Sequence, residues 1–334
     1  MPAVERPRPT ATLAQRARLA LAATVLGLAL VELGLRAVGA APPAVPGLAD
    51  DDRLRVTNRV NALGLREDWD AVPPRRPGEL RVAVLGDSFV YGESVERDEA
   101  LPAQLETALA AHRGGAPVRV FNLGVCDNGT AQEAARYRAL QPALQPDVLV
   151  LVAYLNDFTR TNPAYALRDI YEPGVERSWA ARHSYLVGHL AARWRLRRAR
   201  ERTIAWYRAS VLAGMPAEFA PAGAEIVALR DFAEARGARF VVAFFPWLYD
   251  LDAYPLDALH AHLGAFARTH GIALVDLLPV FRGHGDEALR VSPANEHPNP
   301  RAHRMAADAI ARFLADVSSG TAATPAPGSA APAR

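Results

Sequence analysis

Short apolar runs alternate with helix-periodic segments through most of this chain. Each run is rich in Val, Leu, Ile or Phe, and each is followed by a stretch whose apolar positions recur every three to four residues. The runs predict five strands: Val82–Leu85, Val118–Asn122, Val148–Ala153, Phe240–Phe245 and Ile272–Val275. The periodic stretches predict helices at Leu101–His112, Ala131–Leu140, Ala224–Ala235, Pro255–Thr269 and Arg301–Leu314. Near-continuous apolar strands between helices are typical of an α/β fold whose central parallel sheet is covered on both faces.

The first 40 residues carry a membrane-targeting pattern. Residues 1–18 are polar and include four arginines, and an uninterrupted apolar run follows from Leu19 to Val31. Basic residues before an apolar run keep the N-terminus in the cytoplasm and send the rest of the chain across. We expect a transmembrane signal anchor at 19–40, in which Glu32 and Arg36 pair on one helix face. The alternative is a signal peptide cleaved after Val38-Gly39-Ala40, which would release a secreted protein. Either way the remainder is predicted to be extracytoplasmic, in the periplasm.

Composition bounds the rest of the architecture. A length of 334 residues indicates one main domain, and a single cysteine excludes an internal disulfide. The formal net charge of +2 is close to neutral and argues against a nucleic-acid partner. We predict a proline-rich linker at 41–79, the domain at 80–317 and a disordered tail at 318–334. An arginine-rich insertion at 158–221 is a candidate lid. Cys126 is expected to serve as a small buried hydrophobe.

The segment Gly86-Asp87-Ser88 comes directly after the first predicted strand. A glycine permits a sharp turn there, and the N-terminus of a following helix favours developing negative charge. This arrangement can present a serine hydroxyl as a nucleophile, although serine is also a common helix N-cap. Gly124 and Asn156 follow the second and third predicted strands, at the sheet edge where open α/β sheets bind ligands.

Four segments in order resemble the SGNH hydrolases, also called the GDSL family: Gly86-Asp87-Ser88, Asn122-Leu123-Gly124, Asn156-Asp157 and His297-Pro298-Asn299. The resemblance implies a flavodoxin-like three-layer fold, the SGNH hydrolase fold, and hydrolysis of acyl esters without a cofactor or metal. It assigns Ser88 as the nucleophile and His297 as the base. Gly124 and Asn156 would donate hydrogen bonds to the oxyanion together with the Ser88 N–H.

Two departures from the family pattern bear on the site. Tyr154 stands where the family has a glycine two residues before Asn156, and we expect it to reshape the pocket wall. Ala294 stands where the family has the aspartate that orients the histidine. Asn295 and Glu296 are neighbours in sequence, but residues this close to a histidine usually point elsewhere. Asp286 and Glu287 are other candidates. The alternatives are a Ser–His dyad, an acid from elsewhere or an inactive site, and we favour the first two.

The resulting functional hypothesis is a membrane-anchored serine esterase acting on O-acetyl or other short acyl esters. Cell-envelope polysaccharide is the candidate carrier of those esters. Two alternatives remain: an O-acyltransferase that passes the acyl group to a sugar, and a non-catalytic glycan-binding or scaffold protein with a degenerate site. His303, at the start of the last predicted helix, either braces His297 or is a plain surface residue, and we favour the surface position.

Overall fold

We describe the protein from a computed structural model. The described residues are 12–42, 56, 59–158, 178–213, 215–292 and 295–318. The chain divides into two compact units, Met1–Asp50 with Leu167–Arg202, and Asp51–Ala166 with Thr203–Arg334. The predictions for residues 1–11 and for the tail at 319–334 lie outside the described residues, as do most of the predicted linker before residue 59 and positions 159–177 of the predicted insertion.

A parallel sheet forms the centre of the larger unit. Its five described strands are β1 (Leu80–Leu85), β2 (Val118–Asn122), β3 (Val148–Ala153), β4 (Arg239–Phe244) and β5 (Ala273–Asp276). The spatial order is β2-β1-β3-β4-β5 and every neighbouring pair is parallel. The predicted parallel α/β class is confirmed. Strands β2 and β3 have the predicted bounds, whereas β4 and β5 each begin and end one residue away from the prediction.

Helices cover both faces of this sheet. In the larger unit they are α2 (Ser88–Tyr91), α3 (Leu101–His112), α4 (Thr130–Leu144), α7 (Met215–Glu234), α8 (Asp257–Thr269), α9 (Leu278–Phe281) and α10 (Pro300–Ser318). Helix α10 packs on α3, and α4 packs on α7. The C-terminus predicted for α4 at Leu140 is wrong, because this helix continues past Pro142. The N-terminus predicted for α7 at Ala224 is also wrong, because this helix begins before Pro221. A proline in a helix interior costs about 3 kcal/mol, so packing between these two helices outweighs the local preference.

Part of the predicted linker is packed into the larger unit. The Asn61 side chain accepts hydrogen bonds from the backbone N–H groups of Leu63 and Leu65 and donates to the Trp69 carbonyl. This turn buries Leu65 and Arg66 almost completely. Residues 59–79 of the predicted linker at 41–79 thus pack within the larger unit, because their polar turn supplies its own hydrogen bonds.

The smaller unit contains α1 (Leu13–Ala37), α5 (Trp179–His183) and most of α6 (Tyr185–Tyr207). Among the described residues, α1 is the one helix long and apolar enough to cross a membrane, with a mean hydropathy of 1.8 and no buried part; a signal sequence would have the same properties. The predicted pair of Glu32 and Arg36 is present at 2.7 Å. Glu32 also accepts from the Ser184 hydroxyl and from two backbone N–H groups at the start of α6, so it caps that helix.

Candidate active site

Three of the predicted site residues meet at the carboxyl edge of the sheet. Ser88 begins α2 immediately after β1, Gly124 follows β2, and Asn156 lies in the 3₁₀ turn Leu155–Phe158 that follows β3. Strand β1 lies between β2 and β3, so the ends of these three strands are neighbours. Parallel strands thus bring together residues far apart in sequence, as open α/β sheets do at their ligand sites.

His297 reaches this edge from a short hairpin that the sequence did not predict. Strand β6 (Arg290–Ser292) pairs antiparallel with β7 (Asn295–Pro298), which carries the histidine. Its Nε2 lies 3.0 Å from the Ser88 Oγ, within hydrogen-bonding distance. The Phe89 ring packs edge-on against the imidazole, with centroids 5.6 Å apart. The pair required for a serine nucleophile and its base is therefore assembled.

The other ring nitrogen of His297 contacts Asn295. Nδ1 lies 2.8 Å from the Asn295 Oδ1, and the same oxygen accepts the His297 backbone N–H at 3.0 Å. The expectation that Asn295 points away from the histidine is wrong. In an extended strand, residues i and i+2 lie on the same face, so Asn295 and His297 are neighbours. This period of two is the sequence signal that identifies the contact.

The other side chains considered for the missing acid have different partners. Glu296 lies on the opposite face of β7 and accepts from the Trp247 Nε1–H at 2.6 Å. Asp286 accepts the backbone N–H groups of Asp250 and Leu251. Glu287 is exposed. Glu296 and Asp286 therefore bond to other groups, and Glu287 is solvated. Of these neighbours, it is the amide of Asn295 that lies beside the imidazole.

Glu93 is a carboxylate at the site that sequence reasoning missed. It follows α2 by two residues, and its Oε2 lies 3.4 Å from the His297 Nε2. The Cys126 thiol also contacts Glu93. Burial, together with this carboxylate, raises the pKa of Cys126 to about 12. Cys126 is therefore held as a neutral thiol, which is a poor nucleophile at neutral pH.

Two of the three predicted oxyanion donors, the Gly124 N–H and the Asn156 amide, already have acceptors within the protein. The Gly124 N–H donates to the Asn122 Oδ1 at 3.0 Å. The Asn156 Nδ2 donates to the Asp87 Oδ2 at 2.9 Å and lies 3.5 Å from the Asn128 carbonyl. The Ser88 N–H is in the first turn of α2, where backbone donors have no acceptor inside the helix.

Three buried carboxyl groups lie behind these donors. Burial raises the pKa of Asp87 to about 6, against the opposing effects of the Phe89 N–H, His297 and Asn156. Burial and then the Asp87 charge raise the pKa of Asp157 to about 7. Glu133 is fully buried; desolvation and repulsion from both aspartates raise its pKa well above the usual range. Asp157 holds the turn that carries Asn156 through bonds from the Tyr154 N–H and the Thr130 hydroxyl.

Tyr154 and His303 are both buried near the site, and the expectation that His303 lies at the surface is wrong. The Tyr154 ring centroid lies 4.1 Å from that of Phe89, so Tyr154 supports α2 from the core. His303 is completely buried because its face of α10 packs into the domain. Desolvation, with the positive fields of His297 and Arg66, lowers the pKa of His303 to about 3.

No group of three or more His, Cys, Asp or Glu side chains within the described part of the chain is arranged to hold a metal ion.

Comparison with known proteins gives a family match and several structural neighbours. The model of the GDSL-like lipase/acylhydrolase family matches residues 84–305. The search of curated proteins found no match.

The structural neighbours include a putative lipolytic protein of the G-D-S-L family from Desulfitobacterium hafniense DCB-2, at 15% identity over 70% of this chain and 99% of that chain, with a TM-score of 0.43. A two-domain esterase active on acetylated mannans, co-crystallized with mannopentaose, is 16% identical over 75% of this chain and 53% of its own, with a TM-score of 0.45. The acetyl xylan esterase AlAXEase is 13% identical over 69% of this chain and 98% of its own, with a TM-score of 0.43.

Proposed function

This chain belongs to the GDSL-like lipase/acylhydrolase family, and we propose that within it the protein is a serine esterase with Ser88 as nucleophile and His297 as general base. The observation that carries the proposal is the 3.0 Å contact between the Ser88 Oγ and the His297 Nε2. A serine hydroxyl attacks an ester efficiently only when a base within hydrogen-bonding reach takes its proton, and this contact provides that base.

The reaction follows the two halves of acyl transfer. The Ser88 Oγ attacks the ester carbonyl carbon while the Nε2 of His297 takes the hydroxyl proton. The tetrahedral intermediate then expels the alcohol, which receives that proton from His297, and an acyl-Ser88 ester remains. Water attacks this ester with His297 again accepting a proton, and the carboxylic acid leaves as the proton returns to the Ser88 Oγ.

The negative oxygen of the tetrahedral intermediate requires donors that are in place before it forms. We propose the N–H groups of Ser88 and Gly124 and the side-chain amide of Asn156. The Gly124 and Asn156 donors are held by Asn122 and Asp87 in the free protein. A full oxyanion is a stronger acceptor than the Asn122 amide oxygen, so it competes for the Gly124 N–H. The Asn156 amide has two N–H donors, and the one that does not bond to the Asp87 carboxylate is the donor we propose for the oxyanion. The loss of one such donor typically costs about a hundred- to a thousand-fold in rate.

We further propose that the substrates are O-acetyl or other short acyl esters of cell-envelope glycans, and that α1 anchors the domain outside the cytoplasmic membrane. The anchor proposal is supported by the arginines that precede the apolar helix and by its length and hydropathy. An envelope location would expose the site to acylated polysaccharide.

The test uses the full-length protein in detergent, with 4-nitrophenyl acetate as substrate and a fluorophosphonate as covalent probe. Ser88→Ala and His297→Ala are compared with the exposed controls Ser178→Ala and His112→Ala. We expect turnover and serine labelling in the parent and both controls, and loss of both signals in Ser88→Ala. A parent protein that neither turns over nor takes the probe would overturn the esterase proposal. Sugar acceptors added to the same assay separate hydrolysis from transfer, because transfer yields an acylated sugar.

A further inference from the structure

The sequence has no aspartate at position 294, and the structure shows which groups surround the imidazole in its absence. We propose that Asn295 and Glu93 together replace the missing acid, which would have both oriented the imidazole and stabilised its cation. Asn295 fixes the tautomer and orientation of His297, and Glu93 supplies the negative charge that stabilises the His297 cation. This inference rests on the proposed function, since it assigns how the base of that reaction is prepared.

The orientation of the Asn295 amide is determined by the backbone. The His297 backbone N–H can only donate, and it lies 3.0 Å from one atom of the amide, which must therefore be the oxygen. The same oxygen lies 2.8 Å from the His297 Nδ1. Two acceptors cannot share a hydrogen bond, so Nδ1 must carry a proton.

The proton on Nδ1 sets the chemistry of the other ring nitrogen. A neutral imidazole with Nδ1–H has its lone pair on Nε2, and Nε2 faces the Ser88 Oγ. The base is thus in the form that can accept the serine proton. Replacing the aspartate of a serine protease triad by asparagine selects the wrong tautomer and costs about 10⁴-fold. Here the backbone N–H of His297 keeps the amide oxygen toward the ring, so the asparagine selects the correct tautomer.

Other polar groups hold Asn295 in this position. Its Nδ2 donates to the Ser94 Oγ at 3.0 Å, and its backbone N–H donates to the Ser292 Oγ at 3.1 Å. The amide therefore has partners for both its oxygen and its nitrogen. A side chain fixed at both ends can orient an imidazole without supplying charge.

An amide is neutral, so the imidazolium formed during the reaction needs an anion from another element. The Glu93 Oε2 lies 3.4 Å from the His297 Nε2, the nitrogen that becomes protonated. Asp87, beside Ser88, and His303 on α10 also interact electrostatically with His297. Asp87 is already bonded to the Phe89 N–H and the Asn156 amide, and burial holds His303 neutral. Among the described residues, Glu93 is the carboxylate that lies within ion-pair distance of the reacting nitrogen.

The segment that carries Glu93 and Ser94 has a defined backbone. The buried guanidinium of Arg66 donates to the carbonyls of Tyr91, Gly92 and Val95 at 2.9, 2.6 and 2.7 Å. Gly92 has φ +82° and Ser94 has φ +69°. A Cβ at position 92 would lie 2.5 Å from the Ala100 Cβ and 2.9 Å from the Arg66 Nη1. Arg66 and Gly92 therefore shape the turn that directs Glu93 to His297 and Ser94 to Asn295.

The kinetic test compares Asn295→Ala, Asn295→Asp and Glu93→Gln with the exposed control Glu287→Gln, using the full-length protein in detergent. We expect Asn295→Ala to lower kcat by about 10²- to 10⁴-fold, as losses of the orienting residue do. Asn295→Asp should retain activity and move the acid limb of the kcat/KM–pH profile upward by about one unit, because it adds a negative charge beside the imidazole. Glu93→Gln should move that limb downward, while Glu287→Gln should leave it unchanged.

A double variant separates the two roles. In the Asn295→Asp background a negative charge is already present, so Glu93→Gln should lower kcat by a smaller factor than it does in the parent. An Asn295→Ala protein with parental kcat and pH profile would overturn the proposal, and so would a Glu93→Gln protein whose acid limb does not move. A purely structural role would lower activity without shifting the limb.

A spectroscopic readout does not depend on turnover. Nitrogen-15 NMR of the parent should show His297 protonated at Nδ1 when neutral, and Asn295→Ala should populate the Nε2–H form. A parent that is inert toward both ester and fluorophosphonate would reject the proposed function but leave this tautomer measurement decisive for Asn295. A neutral His297 found as Nε2–H in the parent would overturn the inference even if the enzyme is active.

Discussion

Gly124 lies directly against the backbone of Tyr91: a Cβ at position 124 would come within 2.2 Å of the Tyr91 nitrogen and 2.7 Å of the Val90 carbonyl carbon. The family resemblance implies that the N–H of this glycine is an oxyanion donor. The structure gives it a second role, since the loop after β2 packs on α2 with no room for a side chain. Backbone atoms cannot rotate aside as a flexible side chain can, so the requirement for glycine is steric.

Gly124→Ala is therefore expected to destabilise the domain. Overpacking of this kind costs about 1–3 kcal/mol, and occasionally more. The matched control is Gly264→Ala in α8, where the nearest atom to the added Cβ is the tip of Arg268 at 3.5 Å and alanine is the better helix former. Urea unfolding followed by circular dichroism measures both free energies. Equal midpoints for Gly124→Ala and the parent would contradict the packing argument.

Glu133→Met is expected to stabilise the protein, and to do so more strongly as the pH rises. Neither Glu133 oxygen has a partner among the described residues, and the pKa of this carboxyl is raised well above its usual range in the folded protein. In the unfolded chain Glu133 ionises near pH 4.5, whereas in the folded protein it stays protonated above that pH. The free energy of unfolding therefore falls as the pH rises above about 4.5.

Removing Glu133 removes this pH-dependent loss, and it also removes the desolvation cost of a buried polar group without a partner, about 1–3 kcal/mol. Unfolding free energies at pH 5 and pH 8 measure the slope. The exposed control Glu234→Met should leave the pH dependence parental, and a Glu133→Met gain that is the same at both values would refute the linkage.

His303→Leu is expected to flatten the acid side of the stability profile. Burial lowers the pKa of His303 to about 3, whereas the unfolded side chain takes up a proton near pH 6.5. Between these pH values the unfolded state binds a proton at His303 that the folded state does not bind. The free energy of unfolding therefore falls as the pH drops, by about 1.4 kcal/mol per pH unit.

The leucine variant lacks this group and should lose less stability between pH 6.5 and pH 4. Denaturant titrations across that range test it, with the exposed His112→Leu as control. A parental slope in His303→Leu would show that another group is responsible.

Tyr154→Gly, which introduces the residue usual in the family at this position, is expected to weaken both the fold and the site. Tyr154 packs on Phe89, the residue after Ser88. Removing a buried aromatic ring costs about 3–5 kcal/mol, and the loss falls beside α2. Tyr154→Phe keeps the ring contact and should remain within about 1 kcal/mol of the parent. Thermal unfolding and ester hydrolysis at low temperature distinguish the two variants. Undiminished turnover in Tyr154→Gly would show that the family glycine is tolerated here.

The central strands β1, β3 and β4 could be predicted because they are buried on both faces and therefore read as near-continuous apolar runs. The edge strand β2 also has its predicted bounds, although Arg119 interrupts its apolar residues. Helices were less exact. Proline normally ends a helix, yet Pro142 and Pro221 lie within α4 and α7, where tertiary contacts favour continuation. Local sequence carries no information on those contacts.

The site was only partly predictable for a similar reason. Motif order identifies Ser88 and His297, and their contact is present. The partners of His297 were missed because they depend on elements that are too short to show periodicity. Asn295 faces the imidazole only because four residues form a strand, and Glu93 reaches it only because Arg66 shapes the turn after α2. Burial of His303 depends on which face of α10 packs inward.

The cap that Glu32 provides to α6 has a practical consequence for anyone shortening this protein. A chain that begins at Ala41 would lack Glu32, and the N–H groups of Tyr185 and Leu186 would lose their acceptor. Helix N-terminal donors left without a cap destabilise the first turn of a helix, and the first turn of α6 would fray. Processing by a signal peptidase after Ala40 would have the same effect. The N-terminal helix is thus a folding partner of residues 184–186, and preparations that omit it should be checked for exposure of that segment to proteases.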